Sequence, residues 1–247
     1  MQKHLYVANW KMYMSRSSID LFFKHVFADT TFAQYNTELI LCPTFCFLEY
    51  VGQFCFKKDF PSIQLGAQDC SQFATGAHTG QVPATDIKAV GCTYAIIGHT
   101  EQRIHNQETD QTVLLKAQNL VSVGIKPIIG VGICQKNSNV AQACKYVANQ
   151  LSFFIENIEK HTGLLFAYEP FYAIGSDMLP DIANEQKVIN VMYATLSQYN
   201  QQSMCKILYG GNVNQQSVQL LKKIPHLDGF LIGRGSTDFQ NLKNIIC

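Results

Sequence analysis

One carboxylate, Glu169, stands between a short apolar run and a segment with the composition of a lid. Residues 164–168 follow a glycine and predict a buried strand, and Pro170 then fixes one backbone angle. The apolar residues 171–174 have neither a strand nor a helix period, and Gly175 ends them at a position that can flex. This order is typical of a base at the mouth of a sheet, followed by a hinged lid that excludes water when closed. A core strand with an incidental surface glutamate is the alternative interpretation.

Three more polar side chains follow other apolar runs. His99 is followed by acidic and polar residues, as at the start of a helix, where a charged imidazole is disfavoured. A neutral imidazole could donate a hydrogen bond to a carbonyl and stabilise the charge that develops on its oxygen. Asn9 and Lys11 are two residues apart after the first run, so they face the same side if the strand continues. A lysine aimed inward there would attract an anion, whereas a packed histidine and a surface lysine are the alternatives.

Two glycine-rich turns complete the set of candidate residues. Residues 210–212 end in Asn212, and residues 233–235 contain Gly233 and Arg234. Glycines before a helix allow backbone N–H groups to surround an anion such as phosphate. Two tight turns without a ligand are the alternative, but the combination with a base, an imidazole and a lysine indicates one site with a phosphate cradle.

Eight short apolar runs alternate with longer amphipathic stretches, and this alternation must bring the candidate residues together. It predicts parallel strands joined by crossover helices, and eight units in 247 residues favour a closed (β/α)8 barrel of the α/β class over an open doubly wound sheet. Such barrels carry their sites at the carboxyl ends of the strands. No linker divides the chain, so we expect a single domain, residues 1–247. The predicted strands are residues 4–8, 39–42, 63–67, 94–97, 127–131, 164–168, 207–209 and 229–232.

The stretches between these strands carry helix signals. Ser17 is expected to cap the first helix, and Pro43 with Thr44 is expected to open the second. The predicted helices are residues 17–27, 43–54, 110–121, 139–161, 184–199 and 214–221, with a last short helix from about residue 238.

The charge, the lengths of the apolar runs and the cysteine spacing argue against several classes of protein. The formal net charge is +1 with 15% charged residues, and the absence of a basic excess argues against a nucleic-acid partner. No apolar run is long enough for a membrane span, and the start of the chain leads into a strand rather than a signal peptide. Nine scattered cysteines without a CxxC pair predict a reducing, cytoplasmic location and no structural zinc.

Six motifs, spread from the first strand to the last, resemble those of the triosephosphate isomerase family. They are Asn-Trp-Lys at 9–11, Ile-Gly-His-Thr-Glu at 97–101, Ala-Tyr-Glu-Pro at 167–170, Ala-Ile-Gly at 173–175, Tyr-Gly-Gly at 209–211 and Asp-Gly-Phe-Leu-Ile-Gly at 228–233. The resemblance implies a TIM barrel that interconverts dihydroxyacetone phosphate and D-glyceraldehyde 3-phosphate through an enediolate, in glycolysis and gluconeogenesis. It also implies that no metal ion and no organic cofactor take part.

The resemblance also implies a role for each candidate residue. Glu169 would be the base that removes a proton from the carbon next to the carbonyl, and neutral His99 would polarise that carbonyl. Lys11 would hold the substrate electrostatically, and Asn9 would add a hydrogen bond near the reacting oxygens. The backbone N–H groups that would hold the phosphate beneath the lid are those of Gly175, Asn212, Gly233 and Arg234.

A homodimer is implied by the third loop, residues 73–82. This loop resembles one that enters a pocket of the partner subunit, where Thr79 would reach toward Lys11 and Asn9 of the partner subunit. Its small residues and few charges suit an interface, and a plain surface loop is the alternative. Glu101 would be a structural partner, either for Lys11 or for the dimer contact.

Several positions depart from the family pattern. Gly130 and Ile133 replace a cysteine and a glutamate, and that glutamate helps to hold the catalytic base when the lid is open, so the support for Glu169 must differ here. Asp177 in the lid hinge would repel a phosphate unless it points to water. Arg234 replaces a glycine, so its turn must differ or be strained, although its cation could attract phosphate. Gln81 and Gln102 replace an acid and an arginine, which could remove a salt bridge.

These departures motivate two alternatives to an active isomerase. One is a barrel with weakened or lost catalysis that is retained as a phosphate-binding or structural protein. The other is an enzyme that acts on a different sugar phosphate, although the lid leaves little room for a longer substrate. The joint presence of Asn9, Lys11, His99 and Glu169 favours the isomerase.

Overall fold

The computed structural model describes residues 4–29, 32, 37–56, 63–132, 139–158, 163–170 and 179–247. Eight parallel strands form a closed barrel in chain order, and the first strand pairs with the last. The predicted (β/α)8 barrel is therefore confirmed. The strands are β1 Leu5–Asn9, β2 Glu38–Cys42, β3 Ile63–Ala67, β4 Tyr94–Ile97, β5 Lys126–Val131, β6 Leu165–Tyr168, β7 Lys206–Tyr209 and β8 Gly229–Ile232.

Helices surround the barrel, and the described residues contain nine α-helices. Short 3₁₀ turns at Phe45–Phe47 and Arg234–Ser236 precede the second and the last of them. The helices are α1 Arg16–Ala28, α2 Leu48–Cys55, α3 Ala84–Ala89, α4 Thr100–His105, α5 Asp110–Ser122, α6 Val140–Asn157, α7 Ile182–Gln198, α8 Gln215–Leu221 and α9 Phe239–Ile246.

The predicted helix starts are wrong in two places. Ser15, and not Ser17, caps α1, because the Ser15 side chain accepts a hydrogen bond from the Ser18 backbone while the Ser18 hydroxyl accepts one from the Ser15 backbone. Thr44 is extended and leads into a 3₁₀ turn, so the second α-helix starts only at Leu48. The helix predicted for residues 139–161 ends at Asn157, and residues 159–161 lie outside the described part of the chain.

Side chains alternate along each strand, so that one set fills the inside of the barrel and the other packs against the helices. Polar side chains follow at the carboxyl ends of the strands. In β1, Leu5 and Val7 point into the barrel, whereas Tyr6 and Ala8 pack against the helices. Asn9 continues the inward row and pairs in register with Cys42 at the end of β2. The same pattern therefore fills the barrel with apolar side chains and leaves a polar one at its carboxyl end.

The cysteines behave mainly as small apolar residues. The eight that the structure describes are free thiols, and Cys42, Cys55, Cys70, Cys92 and Cys205 are buried. Burial raises the pKa of Cys55 and of Cys92 to about 12, with the neighbouring Cys92 adding to the effect at Cys55, so both remain protonated near neutral pH. Within the described ranges no group of side chains has the arrangement of a metal site, and no helix is long and apolar enough to cross a bilayer.

Candidate active site

Glu169 lies at the carboxyl end of β6 and is fully buried. Its backbone N–H donates to the Val131 carbonyl at the end of β5, at 2.8 Å. On the other side, the Gly210 N–H donates to the Tyr168 carbonyl at 2.7 Å, which joins β6 to the turn after β7. The backbone that carries this carboxylate is therefore held between two neighbouring strand ends.

The Glu169 carboxylate faces the start of α4. Its Oε2 accepts a hydrogen bond from the Thr100 backbone N–H at 3.0 Å and lies 3.6 Å from His99 Nε2. The free N–H groups of a first helical turn stabilise a carboxylate in this way. Glu169 Oε1 is buried and has no hydrogen-bond partner among the described residues. Among the described residues, Oε2 therefore has a hydrogen-bond donor and Oε1 has none.

His99 is the N-cap of α4, and this position defines its tautomer. Its Nδ1 accepts a hydrogen bond from the Glu101 backbone N–H at 3.1 Å. A ring nitrogen that accepts such a bond carries no proton, so the proton of this imidazole is on Nε2. Nε2 is the atom that faces Glu169. The arrangement places a hydrogen-bond donor of His99 beside the Glu169 carboxylate.

Lys11 follows the end of β1, and its side chain reaches the first turn of α4. Its backbone is left-handed, with φ of 47°, and its N–H donates to Asn9 Oδ1 at 3.1 Å. Its Nζ donates to Glu101 Oε1 at 2.5 Å, and its side chain passes close to Gly233 in the turn after β8. A cation is therefore held between His99's helix and the predicted phosphate turn.

Gln68 supports this strained lysine, and sequence reasoning missed it. Its side-chain amide donates to the carbonyls of Lys11 and Cys42, both at 2.9 Å. A non-glycine residue with positive φ requires such support from its surroundings. The signal available in the sequence was a polar residue directly after the predicted third strand.

The Glu101 side chain pairs with Lys11 and lies near His99. Its two carboxylate oxygens lie 2.5 Å from Lys11 Nζ and 3.6 Å from His99 Nδ1. Partial burial alone would raise the pKa of Glu101, but the net shift is downward, and the hydrogen bond and the positive charge of Lys11 are among its causes. The structure thus places Glu101 against Lys11, one of the two partners that the resemblance implied.

A second residue that sequence reasoning missed, Arg103, fastens two strand ends together. Its Nε donates to the Gly98 carbonyl at 2.8 Å, and another of its N–H groups donates to the Gly130 carbonyl at 3.0 Å. The same guanidinium pairs with Asp110 at 2.6 Å. Because Gly98 precedes His99 directly, this arginine fixes the position of the histidine relative to β5. Ile133, the second departure near β5, lies outside the described residues.

The predicted phosphate turns lie at the same end of the barrel. Gly233 and Asn212 are half-buried, and the Asn212 carbonyl accepts from the Ser217 hydroxyl at 2.8 Å. Arg234 begins a 3₁₀ turn, is exposed, and has no left-handed backbone, so the turn accepts a non-glycine residue without the strain considered above. Its guanidinium lies 5.9 Å from the centre of the Tyr13 ring. Gly175 and Asp177 lie outside the described residues.

A cavity of about 250 Å³ opens beside Lys11 and His99. It is lined by Asn9, Lys11, His99 and Glu101, and Glu169 lies behind His99. The structure therefore brings Asn9, Lys11 and His99 to one cavity, with the Glu169 carboxylate 3.6 Å from His99. Glu169 is not among the residues that line it, and neither are Asn212, Gly233 and Arg234 of the predicted phosphate turns.

The third loop is exposed and lies apart from this cavity. Thr79 is exposed, and the rings of Phe73 and His78 stack with their centres 3.6 Å apart. A larger cavity, about 540 Å³, lies between the base of the loop and helices α4 and α5. Gln81 and Gln102 both line it, so the two substituted positions share one polar surface.

Comparisons with known proteins agree with this geometry. The sequence model of one family, described as triosephosphate isomerase, matches residues 4–247. The triosephosphate isomerases of Ehrlichia chaffeensis and of Coxiella burnetii (strain Dugway 5J108-111) are each 32% identical to this chain. The aligned regions cover 98% of the chain and 95% of the first relative, and 99% and 96% for the second. The triosephosphate isomerase of Aquifex aeolicus is 28% identical, with 99% of the chain and 98% of the relative covered. The chain therefore belongs to the triosephosphate isomerase family.

Proposed function

We propose that this protein is an active triosephosphate isomerase, an aldose–ketose isomerase that interconverts dihydroxyacetone phosphate and D-glyceraldehyde 3-phosphate. The observation that carries the proposal is the arrangement of a buried carboxylate, Glu169, and the Nε2 of His99, 3.6 Å apart, behind a small cavity with a lysine in its wall. Side chains of this kind suffice for proton transfer, and the proposed reaction uses no metal ion and no organic cofactor.

Glu169 is proposed as the general base. Its carboxylate would take a proton from the carbon next to the substrate carbonyl and return it to the neighbouring carbon, which exchanges ketose for aldose. In the structure the carboxylate is turned toward the Thr100 N–H. It must therefore leave this hydrogen bond in order to reach a substrate.

His99 and Lys11 are proposed to stabilise the charge that this proton transfer creates. The Nε2–H of His99 would donate to the substrate carbonyl oxygen, which becomes negative in the enediolate. Lys11 would attract the anionic substrate and the enediolate, and Asn9 would add a hydrogen bond near the reacting oxygens. All three groups line or adjoin the same cavity, so one small substrate can contact them together.

The phosphate is proposed to bind at the glycine turns. The backbone N–H groups of Asn212, Gly233 and Arg234 would hold it, together with that of Gly175 in the lid. Closure of the lid would exclude water, which matters because an enediolate exposed to water can lose its phosphate. The proximity of the Lys11 side chain to Gly233 supports a single anion site at this place.

Replacement of Arg234 by glycine is expected to raise the KM for glyceraldehyde 3-phosphate about three- to tenfold with little change in kcat. The reason is that an exposed cation beside the phosphate turn contributes about 1 kcal/mol of attraction in both the bound and the transition state. Steady-state kinetics of Arg234→Gly beside Arg234→Lys, which keeps the cation, measures this. A large fall in kcat with an unchanged KM would contradict the role given to Arg234.

A homodimer through residues 73–82 is part of the proposal. An apolar group on the surface supports it, because Met12 is 91% exposed next to Lys11, and Tyr13, Phe45 and Phe73 are exposed as well. The third loop of a second copy would cover these residues, and its Thr79 would approach Lys11 of the partner subunit. The neutral pair Gln81 and Gln102 would contribute hydrogen bonds rather than ion pairs.

The solution mass is therefore expected to be twice the 27.7 kDa of the chain in light scattering after gel filtration. Met12→Asp should lower it toward the monomer mass, because a charge would replace a buried apolar contact in the dimer. Leu21→Asp is the matched control, since Leu21 is 53% exposed on α1 and is not one of the residues assigned to the interface, so the mass should stay unchanged. A wild-type mass of one chain would rule the dimer out.

We also propose that residues 1–247 form one domain and that the protein is cytoplasmic. The match of the family over residues 4–247 supports the first proposal. The free thiols of the described cysteines support the second, because such a chain suits a reducing compartment.

A further inference from the structure

Gly130 in β5 occupies a position at which no side chain fits. A Cβ atom there would lie 2.5 Å from the Gly98 carbonyl oxygen and 2.7 Å from Glu169 Oε1. Both distances are far below van der Waals contact. The backbone of Gly130 is not left-handed, so what this position requires is space and not the conformational freedom of glycine. The absence of a side chain at residue 130 therefore leaves space that the Glu169 carboxylate occupies.

The backbone around Gly130 is held so that it cannot move aside. Arg103 donates hydrogen bonds to the carbonyls of both Gly98 and Gly130, and it is anchored to Asp110. The Glu169 N–H is bonded to the neighbouring Val131 carbonyl at 2.8 Å. A methyl group added at residue 130 would therefore press on the Gly98 carbonyl, which is fixed, and would displace the Glu169 side chain, which is the contact that can rotate away.

The recess that holds this side chain has three sides. Gly130 leaves room for Oε1, the Thr100 N–H binds Oε2, and Gly210 passes close to the stem, since a Cβ on Gly210 would lie 2.9 Å from Glu169 Cγ. Of its two oxygens, only Oε2 has a hydrogen-bond partner among the residues that the structure describes. A carboxylate that is buried with so few partners is held mainly by fit, so the shape of the recess decides where it rests.

We propose that Gly130 is a positioning residue, whose missing side chain forms the recess in which Glu169 rests when the site is empty. The inference rests on the proposed role of Glu169 as the base. A side chain at residue 130 would move the carboxylate off the Thr100 N–H and toward the cavity that His99 and Lys11 line. In this chain the resting position of the base is thus set by a glycine on the neighbouring strand.

The Thr100 amide reports this position directly. In Gly130→Ala its proton and nitrogen chemical shifts are expected to move to those of Glu169→Ala, in which the acceptor is absent. Gly66→Ala in β3 is the matched control, because a Cβ there is also crowded, at 2.7 Å from Cys42 Sγ, but Glu169 is not among its nearest atoms. It should leave the Thr100 resonance in place. A Thr100 resonance that stays at its wild-type position in folded Gly130→Ala would overturn the proposal.

A double-mutant cycle on stability tests the same inference when Gly130→Ala folds poorly. The fall in urea midpoint caused by Gly130→Ala should be smaller in a Glu169→Ala background, because one of the two crowded contacts is gone. An equal fall in both backgrounds, or a double variant that does not fold, would place the clash at Gly98 and overturn the proposal. Neither readout uses turnover, so their outcome is independent of whether the protein isomerises triose phosphates.

Discussion

Glu169→Gln is expected to lower kcat for isomerisation of glyceraldehyde 3-phosphate by about three to four orders of magnitude. The amide has nearly the shape of the carboxylate, and its oxygen can still accept the Thr100 N–H that Glu169 Oε2 accepts at 3.0 Å. It cannot take up a proton, however, so the first chemical step loses its base. Substrate binding should change little, because the phosphate turns and Lys11 are untouched. Steady-state kinetics in both directions measures the loss.

Glu38→Gln is the matched control for this change. Glu38 opens β2 at the opposite end of the barrel, where its Oε1 accepts hydrogen bonds from Tyr94 and Gln64. Its replacement also exchanges a half-buried carboxylate for an amide, but it should leave kcat unchanged. Wild-type turnover no faster than that of Glu169→Gln would favour the barrel with lost catalysis. The next question would then be whether inorganic phosphate still binds at the glycine turns.

The sequence was sufficient to predict the barrel because its signals are local and repeated eight times. Both faces of each strand are buried, so each strand is a short apolar run, and the glycines and polar residues between the runs mark their ends. Strands β3, β4 and β8 have the predicted bounds. The short helix α3 was missed because six residues carry too little period to be seen. The cap of α1 was misplaced because three serines, at residues 15, 17 and 18, compete for it.

The positions of Glu169, His99 and Lys11 could be predicted for the same reason, since the carboxyl ends of parallel strands meet at one end of a barrel. The residues that support these three side chains could not be predicted. Gln68 holds Lys11 across 57 residues of sequence, and Arg103 joins the carbonyls of Gly98 and Gly130. Gly130 leaves room for the Glu169 carboxylate although the two residues are distant in the sequence. Such contacts depend on register and on the path of the backbone, which no local pattern encodes.

The expected effect of Lys11→Met is a fall in kcat/KM of about 10²- to 10³-fold, which corresponds to about 3–4 kcal/mol of lost transition-state stabilisation. The Lys11 side chain is only about one-quarter exposed and lies between Glu101 and Gly233, so its charge acts in a partly desolvated site. Both the substrate and the enediolate are anions, and methionine keeps the length of the side chain while it removes the cation. Kinetics beside Lys24→Met, which removes an exposed cation from α1, measures the effect.

A double variant separates the electrostatic role of Lys11 from damage to its partner. In Lys11→Met the Glu101 carboxylate loses the hydrogen bond that helps to lower its pKa, and a stranded anion in the cavity wall would itself repel a phosphorylated substrate. Lys11→Met with Glu101→Gln removes that anion as well. If Lys11 attracts the substrate and stabilises the enediolate, the double variant should remain at least about 10²-fold below wild type, because no cation is restored. Recovery of most of the activity would show instead that Lys11 serves mainly to neutralise Glu101, and the anion-binding role would have to be assigned to the glycine turns alone.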